Sequence, residues 1–157
     1  MTIKMTAAIS TLALTLIAAP ALAKPDLYVM NFHNSDDANS QRLSPELKAG
    51  LNMSGLNAEE VFIDTSTAAK WEKGAHEAFD RDLVPHFNRW VGLPGFAAVV
   101  DADSRQVLGC VDARFTADEI ASEIRKMAAM KAATARMTPA STATKTTECP
   151  AAHNPMP

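Results

Sequence analysis

Two hydrophobic periods alternate along this chain and divide it into elements. Leu27 to Phe32 (LYVMNF) is a short, mostly apolar run of the length of a buried strand. The polar stretch after it reads as a loop, a cap among Ser35 to Asn39, and a helix to about Leu51 with Pro45 inside it. Glu60 to Asp64 (EVFID) reads as a second strand. Thr65, Ser66 or Thr67 then caps a helical segment from Ala68 to Trp90, which Gly74 and Pro85 divide into two pieces. Gly92-Leu93-Pro94-Gly95 leads into an apolar strand, Phe96 to Val100. A polar corner (Asp101, Asp103, Ser104) and a strand from Gln106 to Val111 complete a β-hairpin. Thr116-Ala117-Asp118-Glu119 is a capping box, in which the Thr hydroxyl takes the third helical N–H and the Glu reaches back. Ile120, Ile124 and Met127 repeat at helical spacing behind it. Arg125, Lys126 and Lys131 lie towards the end, where the helix dipole favours cations.

The pattern changes at both ends. Residues 1–23 read as a secretory signal: Lys4 is the positive region, Ala7 to Ala19 the apolar run, and Ala21-Leu22-Ala23 a small-residue cleavage site. That run is too short and too interrupted to span a membrane, so no insertion is expected after cleavage. Residues 24–131 carry the composition of one globular domain, with a chain long enough for a single core. Residues 132–157 are Ala, Thr and Pro with almost no large apolar side chain, and read as a flexible low-complexity tail. The net charge of −3 becomes more negative when Lys4 leaves with the leader. Without a basic cluster there is no case for nucleic acid. The expected location is periplasmic or secreted.

The order of strand, kinking proline, strand, helix, proline, hairpin and capped helix, from about Asp26 to Met130, resembles the thioredoxin-like superfamily. The resemblance implies an α/β fold of βαβαββα order, with a four-stranded mixed sheet flanked by helices. It also implies a cis bond at Leu93–Pro94, shaping a groove that binds extended peptides. A trans bond there would remove both that groove and the closest part of the resemblance. Laid against the family pattern without a gap, the redox cysteine positions fall on Asp37 and Ser40, with Ala38-Asn39 between them.

Thioredoxin chemistry needs a low-pKa thiolate at a helix N-terminus and a second, resolving thiol. A carboxylate and a hydroxyl exchange no disulfides, so Asp37 and Ser40 are expected to act as helix-capping residues. His33, Asp37 and Ser40 are close in sequence, but no nucleophile elbow surrounds Ser40 and the spacing fixes no triad geometry. His76 and His86 have no partner at ligand spacing. With no Cys-x-x-Cys and no convincing catalytic constellation, the chain reads as more binding module than enzyme.

Cys110 falls in the middle of the second hairpin strand, where a lone Cys is a small buried hydrophobe. Cys149 lies in the tail with His153 and Met156, a thiolate, imidazole and thioether set of the kind that Cu(I) prefers. In an oxidising compartment the two cysteines invite a bridge. Nothing between Thr134 and Thr147 would hold the tail in place, so the expectation is a buried Cys110 and a free Cys149. The leading functional expectation is an exported module without dithiol activity. Leu93, Pro94, Asp37 and Ser40 would border a surface for another envelope protein or an extended peptide, with no cofactor. The alternatives are copper handling through the tail, with or without Met30 and His33, and thiol redox chemistry between Cys110 and Cys149.

Overall fold

The strand LYVMNFH is apolar on both faces because β1 (Leu27–His33) lies in the sheet interior, with a helical layer on each side. The structure is a computed structural model that describes residues 24–134 and 148–152. Its other elements, in chain order, are α1 (Ala38–Ser54), β2 (Ala58–Asp64), α2 (Ala68–Asp80), α3 (Val84–Trp90), β3 (Phe96–Asp101), β4 (Val107–Asp112) and α4 (Ala117–Thr134). The sheet order is β2-β1-β3-β4. β1 runs parallel to β2 and antiparallel to β3, and β3 pairs antiparallel with β4. This four-stranded mixed sheet flanked by helices is the expected thioredoxin-like α/β arrangement.

The period of two in each strand sends side chains to two cores. Tyr28, Met30 and Phe32 of β1 pack with Leu83, Phe87 and Trp90 on the α2/α3 side. Leu27 and Val29 pack with Leu43 and Leu47 of α1 and with Ile120 and Ile124 of α4 on the other. Both expected caps form. Asp37 caps α1, and Thr67 caps α2 through its hydroxyl. The Thr116–Glu119 box closes in both directions, with Glu119 Oε2 accepting from Thr116 N at 3.0 Å and Thr116 Oγ1 from Glu119 N at 3.5 Å.

The helical segment after β2 does divide, but Gly74 is not where. The break is at Arg81–Leu83, with Asp82 at φ 57° and Pro85 in the first turn of α3, where its missing N–H costs nothing. Gly74 is buried inside α2, where a Cβ would come within 3.3 Å of Ile63 Cα. It lets α2 settle onto β2 rather than ending the helix.

α4 continues to Thr134, three residues past the domain boundary expected at 131. Lys131 in its last turns holds the β3–β4 corner, with Nζ 2.6 Å from Asp101 Oδ1 and 3.2 Å from Asp103 Oδ2. Asp101 also accepts from Asp103 N and the Ser104 hydroxyl. Burial by itself raises the Asp101 pKa, but the Lys131 ammonium and these donors outweigh it and hold the carboxyl at about 2. The secretory signal expected at residues 1–23 lies outside the described residues. Among those described, no helix is long and apolar enough to cross a membrane.

Candidate functional site

Asp37 and Ser40 sit where the first turn of α1 meets the loop before β3. Asp37 Oδ2 accepts the Ser40 N–H at 2.6 Å, which makes Asp37 the N-cap. Ser40 is fully buried, and its hydroxyl oxygen accepts from Asn34 N at 3.2 Å. Asp37 is thus the cap that the sequence suggested, whereas Ser40 lies inside the first turn and its hydroxyl holds the loop at Asn34 instead of capping the helix.

His33 reaches neither of them. Its Nδ1 lies 3.1 Å from the hydroxyl of Ser44, one turn further along α1, and that hydroxyl donates to Ser40 O at 2.9 Å. The Ser44 hydroxyl has one hydrogen to share between Ser40 O and Nδ1, and the His33 tautomer sets which of them receives it. His86 Nε2 lies 2.6 Å from Arg105 O and ties α3 to the hairpin, while His76 is exposed on α2. Both are structural or solvated, as expected.

Sequence reasoning missed Asn31. It is buried in β1, donates Nδ2 to Glu60 Oε1 at 2.8 Å, and leaves Oδ1 without a hydrogen-bond partner among the described residues. An amide within an otherwise apolar strand was the available signal.

Leu93 and Pro94 come to the same corner, but the expected cis bond is absent: no peptide bond of the described chain is cis. The chain reverses by other means. Leu93 N donates to Trp90 O at 2.9 Å and Gly95 N to Phe32 O at 2.8 Å, while Gly92 and Gly95 adopt φ 91° and 90°. Two left-handed glycines make the turn into β3 and leave the prolyl bond trans. The groove shaped by a cis-proline, which the resemblance implied, is therefore not formed, and the closest part of the resemblance goes with it.

A different cavity occupies this corner. An open cleft of about 610 Å³ runs from Asn39 and Pro94 along the outer edge of β4 to Glu148 and Pro150. Its lining includes Phe96, Cys110, Val111 and Ala113, with Asp112 and Arg114 paired at 2.6 Å on the rim. Among the described residues β4 is an edge strand, paired with β3 alone.

The expectation of a free Cys149 is overturned. Cys110 and Cys149 form a disulfide, with their Cα atoms 4.9 Å apart. Cys110 faces the α2/α3 core, as expected, and Cys149 packs against that same cluster. Trp90 Nε1 donates to Pro150 O at 3.0 Å beside it. Contacts at 149–150 anchor this part of the tail, which a search for anchors between 134 and 147 could not reveal. In this state Cys149 offers no thiolate to copper, and His153 and Met156 lie outside the described residues. Among those described, no cluster of three His, Cys, Asp or Glu is placed to hold a metal ion. Comparison with protein-family models, with curated proteins and with solved structures gives no match.

Proposed function

We propose that this chain is an exported, thioredoxin-like binding module that holds an extended polypeptide segment of another envelope protein and performs no dithiol exchange at Asp37 and Ser40. The observation that carries the reading is the cleft on the unpaired edge of β4. A strand edge offers a row of N–H and C=O groups to an incoming chain, which adds as a further strand. The lining is mixed, with Phe96, Val111 and Ala113 largely buried behind it and the Asp112–Arg114 pair among the polar groups that face an incoming strand. The proposed binding surface is accordingly the β4 edge, with Pro94 at one end, in place of a groove made by a cis-proline.

The test is a library of short extended peptides selected against the mature protein, with bound peptide located by amide exchange. Selected peptides should slow exchange at residues 107–114. Arg114→Glu should shift the charge preference of the selected sequences. Protection confined to another surface, or no enrichment at all, would overturn the reading.

A further inference from the structure

The described residues 148–152 follow a segment outside the described residues, yet two independent attachments place them. One is the Cys110–Cys149 disulfide to β4; the other is the hydrogen bond from the buried Trp90 indole to Pro150 O. Glu148, Cys149 and Pro150 form one wall of the cleft. A single hydrogen bond does not repay the conformational entropy of ordering such a strap, so the covalent bond is what holds the wall in place.

The two cysteines both line the cleft but differ in exposure. Cys110 is only 4% exposed, whereas Cys149 is half-buried on an open cleft. A reductant therefore meets Cys149 first. The surroundings do not make Cys149 a catalytic thiol, because Glu148 is its neighbour and Arg114, in the same cleft, is bound by Asp112. Its place in an exchange is that of the sulfur attacked.

We propose that the Cys110–Cys149 disulfide is a redox latch and a substrate site for a protein dithiol: its reduction frees residues 148–150 and opens the cleft on its Trp90 side. A thiolate of the reductant attacks Cys149 Sγ. The bond to Cys110 breaks, and Cys110 leaves as a thiolate that takes up a proton. The second thiol of the reductant then attacks the mixed disulfide and expels Cys149, which is protonated in turn. This chain gains two electrons and two protons, and the reductant becomes a disulfide. The consequence for partner binding rests on the cleft being the binding surface, but the latch itself does not.

The chain has two tryptophans, so Trp71→Phe leaves Trp90 as the sole reporter. The mature protein carrying this change is treated with dithiothreitol, or with a thioredoxin-type dithiol protein, under native conditions. Titratable thiols should rise from none to two, and acrylamide quenching of Trp90 should increase several-fold while the far-ultraviolet circular dichroism is unchanged. Cys149→Ser should show the reduced-state Trp90 signal without reductant, and Cys110→Ala should repeat it from the other side. If Trp90 stays as shielded after reduction, the strap does not depend on the bond and the latch fails. If the bond yields only on unfolding, or if the reduced chain and both variants unfold, the disulfide is a structural staple and the latch fails equally. Affinity for a cleft-selected peptide is measured separately and should change about tenfold or more on reduction. A Trp90 response without any change in peptide affinity keeps the latch and removes the cleft reading.

Discussion

Gly95 passes the N-terminal end of α1 so closely that a Cβ on it would lie 2.9 Å from Asp37 Oδ2 and 2.8 Å from Asn39 Cβ. Its φ of 90° belongs to glycine as well. The start of α1 and the entry to β3 are thus pressed together at the head of the cleft. Gly95→Ala should lower unfolding stability by about 2–3 kcal/mol, from backbone strain and the contact together. A change of only a few tenths in urea unfolding would mean that the two segments part freely.

Asp37→Ala should cost about 1 kcal/mol through loss of the N-cap. The wild-type protein should leave insulin disulfides unreduced, since neither Asp37 nor Ser40 forms a mixed disulfide. Asp37→Cys with Ser40→Cys should introduce a reducible dithiol at this helix N-terminus, with at least one depressed pKa, readable by thiolate absorbance. Turnover of insulin by the unmodified protein at a thioredoxin-like rate would contradict the assignment of these positions.

Asp101 makes stability depend on acid. Its folded-state pKa of about 2 lies below the ordinary carboxyl value of 3.8, so its contribution is complete above about pH 4 and disappears as pH falls through about 2. The shift corresponds to about 2 kcal/mol. Denaturant unfolding of wild type and Asp101→Asn should show a stability difference that shrinks by roughly this amount on acidification. Curves that remain parallel to the lowest pH would show that Lys131 and the corner donors do not hold the charged form.

The bridge between Cys110 and Cys149 spans a sequence separation of 39. In the chain-entropy model a loop of this length adds about 4 kcal/mol. Reduction should therefore lower the urea midpoint clearly while leaving the sheet folded in the absence of denaturant. An unchanged midpoint would indicate that the unfolded chain is not constrained by the bridge.

Export is checked by intact mass. Protein recovered from the envelope or medium should begin at Lys24, the residue after Ala21-Leu22-Ala23. Retention of Met1 in that fraction would make the leader an anchor instead.

Most of the fold was legible because most of its signals are local. The apolar runs of β1 and β3, the Asp37 and Thr67 caps, the Thr116–Glu119 box and the Ile120–Ile124–Met127 stripe each act within a few residues along the chain. Turn and cap chemistry carry that information wherever the segment ends up in space. The site was legible only as a place. Gly95, next to Pro94, does lie against Asp37 and Ser40 N, but the sequence order alone did not show that Ser44, rather than Ser40, meets His33.

What remained hidden depends on residues brought together from far apart. Pattern alone showed Gly74 only as a helix breaker; that Ile63 lies against it is a fact of α2 packing on β2. The prolyl bond is trans because Gly92 and Gly95 turn the chain while Trp90 O and Phe32 O fix it on either side. The tail composition argued for freedom, and the argument fails at Cys149 and Pro150, where β4 and Trp90 supply the partners. Local propensity determined which elements form, because it is set by backbone sterics and hydrogen bonds between near neighbours. Tertiary structure decided the disulfide, the cleft and the open edge of β4, because each is a relation between elements whose separation in space no periodicity encodes.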